Sequence, residues 1–263
     1  MIIIGERINT SRKEIALAVQ KKDAEFIKNE AKKQAIEGAD FIDINCGTNI
    51  HTEIEDLKWV AGLVQSAVDK PLCIDSPNPA AIEAVLAIHK GRAFINSVTA
   101  EHDRAEAILP LVKKYDCFII GLAMGASGVP ATAMERKQAA QQILEFTDKF
   151  GIDRERLYID AVVQSIATDA AQGREFLNAI HLIKSSLGLK TIAGLSNISF
   201  GLPKRTVLNS SFLSMAIAFG LDAAIIDVTN PGIYSAFKAS RVLVGEDSFC
   251  QDYISAFRNG KLI

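Results

Sequence analysis

Short apolar runs alternate with longer amphipathic stretches along the chain, and the alternation recurs eight times. The short runs are Ile2–Gly5, Phe41–Asn45, Leu72–Asp75, Ala93–Asn96, Cys117–Met124, Leu157–Asp160, Thr191–Ser196 and Ala223–Asp227. They are rich in Ile, Val, Leu and Phe and lack the strict polar alternation that a solvated face imposes. That pattern predicts strands covered on both faces, as in a parallel sheet. Strands of this kind joined by helical crossovers predict a closed (β/α)₈ barrel, the TIM-barrel architecture of the α/β class. The rival, a doubly wound open sheet, requires a glycine-rich phosphate loop after the first strand. Gly5-Glu6-Arg7-Ile8-Asn9 is not one.

The stretches between the runs carry helix punctuation. Ser11-x-x-Glu14 predicts a capping box. Asp23 opens a helix with Phe26, Ile27, Ala31, Ala35 and Ile36 on one side and Gly38 as its stop. Ser76–Pro79 opens another that ends near Gly91, with Pro79 in the first turn, where a missing N–H costs little. Met134, Ile143, Leu144 and Phe150 form the next stripe, ending at Gly151, and Asp247–Phe257 reads as an extra amphipathic helix beyond the eighth unit. No linker or low-complexity segment interrupts the pattern, so residues 1–263 are expected to form one domain.

Composition narrows the function classes. A barrel of this kind needs about 250 residues, and the chain has 263, of which 49% are hydrophobic and 23% charged. The net charge of −2 and the absence of a Lys/Arg cluster argue against nucleic acid or an anionic membrane as partner. The apolar runs are too short to span a bilayer. Met1 leads into one of them without the basic flank and cleavage site of a signal peptide. Cys46, Cys73, Cys117 and Cys250 match no metal-ligand spacing, and the first three read as buried free thiols. A cytoplasmic location is expected. His51, His89, His102 and His181 fall in loops or helices without ligand spacing, so no bound metal is expected.

In such a barrel the active site forms at the C-terminal strand ends. Those positions hold Glu6 and Asn9, Asp43 and Asn45, Asp75, Asn96, Met124, Asp160, Asn197, then Asp227 and Asn230. None of the strands ends in Lys or Arg, although Arg7 follows the first. Acidic and amide groups around an otherwise uncharged pocket suit a flat heterocycle with several N–H donors and a carbonyl. The 2-amino-4-oxo edge of a pterin is one such ligand, and a sugar is another. Turn formation and helix capping are an alternative for any single Asp or Asn. Ile74-Asp75, Ile95-Asn96 and Ile159-Asp160, however, repeat one arrangement on separate strands.

The chain resembles the pterin-binding methyltetrahydrofolate methyltransferases, which include the corrinoid/iron–sulfur protein methyltransferase and the folate module of cobalamin-dependent methionine synthase. The matching elements are Ile4-Gly5-Glu6-Arg7-Ile8-Asn9, Asp43-Ile44-Asn45, Cys73-Ile74-Asp75-Ser76, Ile95-Asn96-Ser97, Tyr158-Ile159-Asp160, Gly194-Leu195-Ser196-Asn197-Ile198-Ser199 and Gly220-Leu221-Asp222-Ala223-Ala224. The resemblance implies a dihydropteroate synthase-like barrel in which Asp75, Asn96 and Asp160 hold the pterin edge of tetrahydrofolate or 5-methyltetrahydrofolate. It implies that Asn197 hydrogen-bonds near N5 as the catalytic residue. Ser196, Glu6, Asn9, Asp43, Asn45 and Met124 complete the candidate folate site.

It also implies methyl transfer between N5 and the cobalt of a corrinoid, in a direction the sequence does not settle, and a homodimer packed through barrel helices. The chain has no Asp-x-His-x-x-Gly corrinoid signature. The corrinoid is therefore expected on a separate protein docking over the barrel mouth. After Asn197 the loop Ile198–Arg205 is closer to the methionine synthase module. Phe200 either covers the pterin face or packs under the loop, and Arg205 and Asn209 are read as anchors for the next helix. The alternatives are dihydropteroate synthase, disfavoured because Ile192–Asn197 contains no lysine, and a non-catalytic folate-binding subunit.

Overall fold

Each apolar run hydrogen-bonds to the next and the last to the first, so no strand edge stays open. The computed structural model describes residues 1–263 and closes the parallel strands in chain order. They are β1 (Ile2–Asn9), β2 (Phe41–Asn45), β3 (Leu72–Asp75), β4 (Phe94–Thr99), β5 (Phe118–Leu122), β6 (Leu157–Asp160), β7 (Lys190–Gly194) and β8 (Ala223–Ile226). The helices are α1 (Lys13–Gln20), α2 (Ala24–Ile36), α3 (Glu53–Ala67), α4 (Pro79–Leu86), α5 (His102–Lys114), α6 (Ala133–Lys149), α7 (Gln172–Leu187), α8 (Arg205–Ala218), α9 (Pro231–Leu243) and α10 (Gln251–Arg258). This is the barrel expected from the sequence. No helix is long and apolar enough to cross a membrane.

β2, β3 and β6 span the residues their apolar runs predict. β1 and β4 run further, because each continues past a bulge: pairing slips between Gly5 and Ile8 and between Asn96 and Val98. The first bulge leaves the Arg7 N–H without a strand partner, and it donates to Gln34 Oε1 of α2 at 3.0 Å. Gly5 makes room for that buried amide, since a Cβ there would collide with it.

Inward-facing residues recur at every second strand position. The lower layer is apolar and includes Ile4, Phe41, Phe94, Ile120, Tyr158 and Ile192. The Phe94 ring lies 4.8 Å from Phe41, 4.8 Å from Phe118 and 5.0 Å from Tyr158, centroid to centroid. Edge-on and stacked contacts at these distances add to the gain from area burial. The barrel interior is therefore plugged below its polar end.

The helix ends differ from expectation at three places: α4 stops at Leu86, short of Gly91, α10 begins only at Gln251 after a 3₁₀ turn, and one expected cap is missing. Asp23 accepts the Phe26 N–H at 3.1 Å and Asn78 the Ala80 N–H at 3.0 Å, as helix starts require. The Ser11–Glu14 box does not form: α1 starts after Arg12 with no side-chain cap. The Ser11 N–H is drawn instead to Asn9 Oδ1 at 2.9 Å, and Glu14 lies 3.8 Å from Arg7. A complete capping box does form at Thr132 and Glu135, before α6.

Candidate active site

The second inward layer is polar and forms the floor of a cavity of ≈ 810 Å³ at the C-terminal mouth of the barrel. Asp43, Asp75, Asn96 and Asp160 stand two residues beyond Phe41, Cys73, Phe94 and Tyr158, on the same inward faces. The bulges in β1 and β4 fall beside Glu6 and Asn96, where an extra residue redirects a side chain.

Burial sets the charge of this floor. Asp160 is 7% exposed, and burial raises its pKa to about 6. The Val162 and Gly194 N–H groups oppose that shift, donating to its carboxylate at 2.7 and 3.3 Å, as does the charge of Arg136. Burial also raises Asp75, whose Oδ2 accepts from Asn45 Nδ2 at 2.9 Å. Asp43 is pushed well up by burial and then by the charge of Asp75. Its Oδ1 has no partner within the protein. The shift favours the protonated form, which can donate. The floor thus offers acceptors beside a donor.

One wall is an ion-pair network. Arg12 lies 3.2 Å from Glu6 and 3.8 Å from Asp227, which Arg7 holds at 2.9 Å. Burial raises the Glu6 pKa against the opposing pull of Arg12.

The opposite wall is a braced turn. Beyond Gly194 the chain leaves β7 and winds into a 3₁₀ turn, Leu195–Ser199, so Ser196 and Asn197 stand on a turn and not on a strand end. Arg205 donates to Ser196 O at 2.6 Å and to Ser199 Oγ at 3.0 Å, and Ser199 Oγ donates to Asn209 Oδ1 at 2.7 Å. The Ile166 N–H, from the loop after β6, donates to Ile198 O at 3.1 Å. Arg205 and Asn209 thereby tie the turn to α8. Asn197 is left exposed in the cavity wall.

The cavity brings together Glu6, Asn9, Asp43, Asp75, Asn96, Asp160, Ser196 and Asn197 from the sequence-derived set. Asn45 stands behind them, committed to Asp75 and to the Gly47 N–H at 3.0 Å. Met124 lies outside the lining: β5 ends at Leu122, which takes the inward place, and Met124 O accepts the Ala100 N–H at 2.8 Å. Asn230 reaches the wall, but its Oδ1 caps α9 through the Gly232 and Ile233 N–H groups. β7 starts at Lys190, one residue earlier than expected and at the end remote from the mouth, with Glu155 2.6 Å away.

The strand ends alone predicted an uncharged surround, and that is corrected here: Arg12 and Arg205 both line the cavity. They enter from the starts of α1 and α8, outside the positions that strand periodicity marks. Two further arginines were not anticipated. Arg136, fully buried on α6, donates to Pro130 O at 3.0 Å and to Gln172. Arg104 on α5 donates to Ser97 O at 2.8 Å, Ser76 O at 3.1 Å and Pro77 O, clasping the loop after Asp75 to the β4 bulge beside Asn96. Carbonyl partners leave no residue-type signal in a sequence.

Residues 5–227 match the family model described as pterin binding enzyme. Across 100% of its length the chain is 35% identical to the methylcorrinoid:tetrahydrofolate methyltransferase of Eubacterium limosum, covering 98% of that protein. It is 31% identical over 240 residues to the methionine synthase of Mycobacterium tuberculosis, an alignment that takes in 86% of this chain and 20% of the synthase. Similar solved structures include DHPS of Yersinia pestis with a pterine–sulfa conjugate (TM-score 0.68, 15% identity, 93% of this chain and 94% of that one). Another is the dihydropteroate synthase of Xanthomonas albilineans in complex with 7,8-dihydropteroate (TM-score 0.68, 18% identity, 92% and 93%). At those identities the likeness is one of fold. The family match and the end-to-end relative go further: this chain belongs to the pterin-binding enzymes.

Proposed function

We propose that this protein transfers a methyl group from a methylated corrinoid protein to N5 of tetrahydrofolate. The observation that carries the reading is the end-to-end similarity to a methylcorrinoid:tetrahydrofolate methyltransferase. The cavity supports it, because a floor of Asp43, Asp75, Asn96 and Asp160 complements a donor-rich pterin edge. In this reading Asp75 and Asp160 accept from adjacent pterin N–H groups, and such charge-assisted bonds are the stronger kind. Asn96 both donates and accepts, and the unpartnered Oδ1 of Asp43 completes the edge. Glu6 and Asn9 bound the wall, while Asn45 steadies Asp75.

The corrinoid, carried by a separate protein at the open mouth, supplies the methyl group and keeps the electron pair of the broken bond. At N5 a C–N bond forms and the N5 proton departs. In the reverse direction N5 must regain a proton as it gives up the methyl group, because an amine is a poor leaving group. Asn197 is assigned to N5. Its amide does not titrate, so it orients N5 and stabilises the changing charge instead of serving as the acid. The reading includes a cytoplasmic homodimer, and the exposed Met215 of α8 and Phe219 just after it are apolar side chains that such packing would cover.

The test combines purified protein, tetrahydrofolate and a panel of methylated corrinoid proteins, with 5-methyltetrahydrofolate as the expected product. Binding of tetrahydrofolate without turnover across the panel would point to a folate-binding subunit. Dihydropteroate made from a pterin pyrophosphate and p-aminobenzoate would replace the reading altogether.

A further inference from the structure

Asp75 and Asn96 face each other in the register of β3 and β4, at the point where the strand ladder gives out. β3 ends at Asp75, and β4 bulges between Asn96 and Val98, which leaves Ser97 without a partner on β5. A bulge disrupts the ladder locally, so strand pairing alone does not fix the spacing of these two side chains.

Arg104 stands against that gap without lining the cavity. Its Nε and Nη2 donate to Ser97 O at 3.0 and 2.8 Å, Nη2 also donates to Ser76 O at 3.1 Å, and Nη1 donates to Pro77 O. One planar group thereby joins the residue after Asp75 to the residue after Asn96. Hydrogen bonds from an ionised donor are the stronger kind, and a rigid fork fixes the relative positions of the carbonyls it holds. Ser76 is held from other sides as well. Its N–H donates to Asn96 O at 3.1 Å, and its Oγ donates to the buried Glu53 at 2.5 Å.

Local electrostatics do not account for an arginine at this position. Arg104 lies in the first turn of α5, where the positive end of a helix favours acids such as the adjacent Asp103. An ion pair does not account for it either. Glu101 is the one carboxylate whose charge bears on Arg104, and that side chain is exposed and accepts from Thr99 Oγ1. A cation set against the helix dipole and committed to carbonyls is a local inconsistency of the kind found at functional sites.

Resting on the proposed function, we infer that Arg104 is a positioning residue for pterin binding, which sets the spacing of Asp75 and Asn96 through the backbone that follows them. A binding constellation has to be held to within about 0.5 Å of its productive geometry. Asp75 and Asn96 grip the ring edge in the ground state and the transition state alike, and Asn197 stands on a separate turn. Loss of the fork therefore weakens binding without slowing the chemical step.

The test measures tetrahydrofolate Kd by calorimetry and kcat at saturating tetrahydrofolate with the most active methylated corrinoid protein of the panel. Arg104→Gln should weaken Kd about ten-fold and leave kcat within about two-fold of wild type. Arg104→Lys keeps the charge but replaces the fork with one ammonium, and should still bind at least about five-fold more weakly. If Arg104→Gln does not fold, Arg104→Lys carries the test alone. Thr132→Ala is the control for lost stability and should leave both constants unchanged. A Kd within about two-fold of wild type in either folded variant, or a kcat that falls in step with Kd, would overturn the positioning role while the pterin site stood. Failure of wild type to bind tetrahydrofolate would instead overturn the proposed function.

Discussion

Phe41, Phe94 and Tyr158 stand on the same inward faces of β2, β4 and β6 as Asp43, Asn96 and Asp160, only two residues below them. Both layers leave water, with opposite consequences. Burying a large apolar side chain stabilises by about 2–3 kcal/mol, whereas burying a carboxyl without full compensation destabilises and displaces its pKa. The lower layer has aromatic neighbours at 4.8–5.0 Å and no polar atom needing a partner except the Tyr158 hydroxyl. The upper layer keeps an unpartnered Asp43 oxygen and an Asp160 raised to about 6. Shared strands let the favourable layer hold the unfavourable one in place, which is how a rigid scaffold maintains a preorganised site.

The sharpest way to break this comparison is to damage the lower layer. Phe94→Ala should lower the unfolding free energy by about 3–5 kcal/mol in urea titrations, while the folded protein keeps its tetrahydrofolate affinity within about three-fold. A loss of affinity as large as that of a floor carboxyl variant would show that the layers are not separable. Next in size, Asn197→Ala should lower kcat for methyl transfer about 100-fold with little change in tetrahydrofolate Kd. An unchanged kcat would remove Asn197 from the chemistry.

Asp160→Asn should weaken tetrahydrofolate binding by about ten- to 100-fold, because a charge-assisted bond becomes a neutral one. The same variant should be more stable than wild type above pH 6, since the cost of burying the charge is gone. The raised pKa fixes the sign. Below about pH 4 the carboxyl is protonated in both states; between about pH 4 and pH 6 the folded protein keeps a proton that the unfolded chain has lost. Stability of the ligand-free protein therefore falls as pH rises through that window, while tetrahydrofolate affinity rises as Asp160 ionises. Calorimetric Tm and Kd across pH 4–8 measure both, and a flat Kd profile in wild type would contradict an ionised Asp160 as the acceptor. The smallest effect belongs to a site in neither layer. Thr132→Ala, which removes the cap of α6, should lower stability by about 1 kcal/mol and leave binding untouched.

Some of the site was legible in spacing. Ile74-Asp75, Ile95-Asn96 and Ile159-Asp160 mark strand ends, and the residues two before each polar one (Cys73, Phe94, Tyr158) are a period-two signal for the apolar layer below. Met124 was misplaced because an apolar run shows where a strand lies better than where its pairing stops. Ser196 and Asn197 follow the same logic: nothing in Thr191–Ser196 marks the turn that begins after Gly194.

The sequence by itself determined the barrel, the order of its strands and the identity of the polar residues near its mouth. Apolar periodicity, glycine stops and Asp or Asn caps are local signals, written within a few residues of where they act. Only the tertiary structure decided which polar ends face the cavity and which are committed elsewhere, as Asn45 is to Asp75 and Asn230 to the start of α9. It also decided where the arginines act: Arg12 and Arg205 in the wall, Arg136 within electrostatic reach of Asp160, and Arg104 between the loop after β3 and the bulge of β4. Those placements depend on bulges, on barrel closure and on carbonyl partners distant along the chain. None of these exists until the eight strands have met.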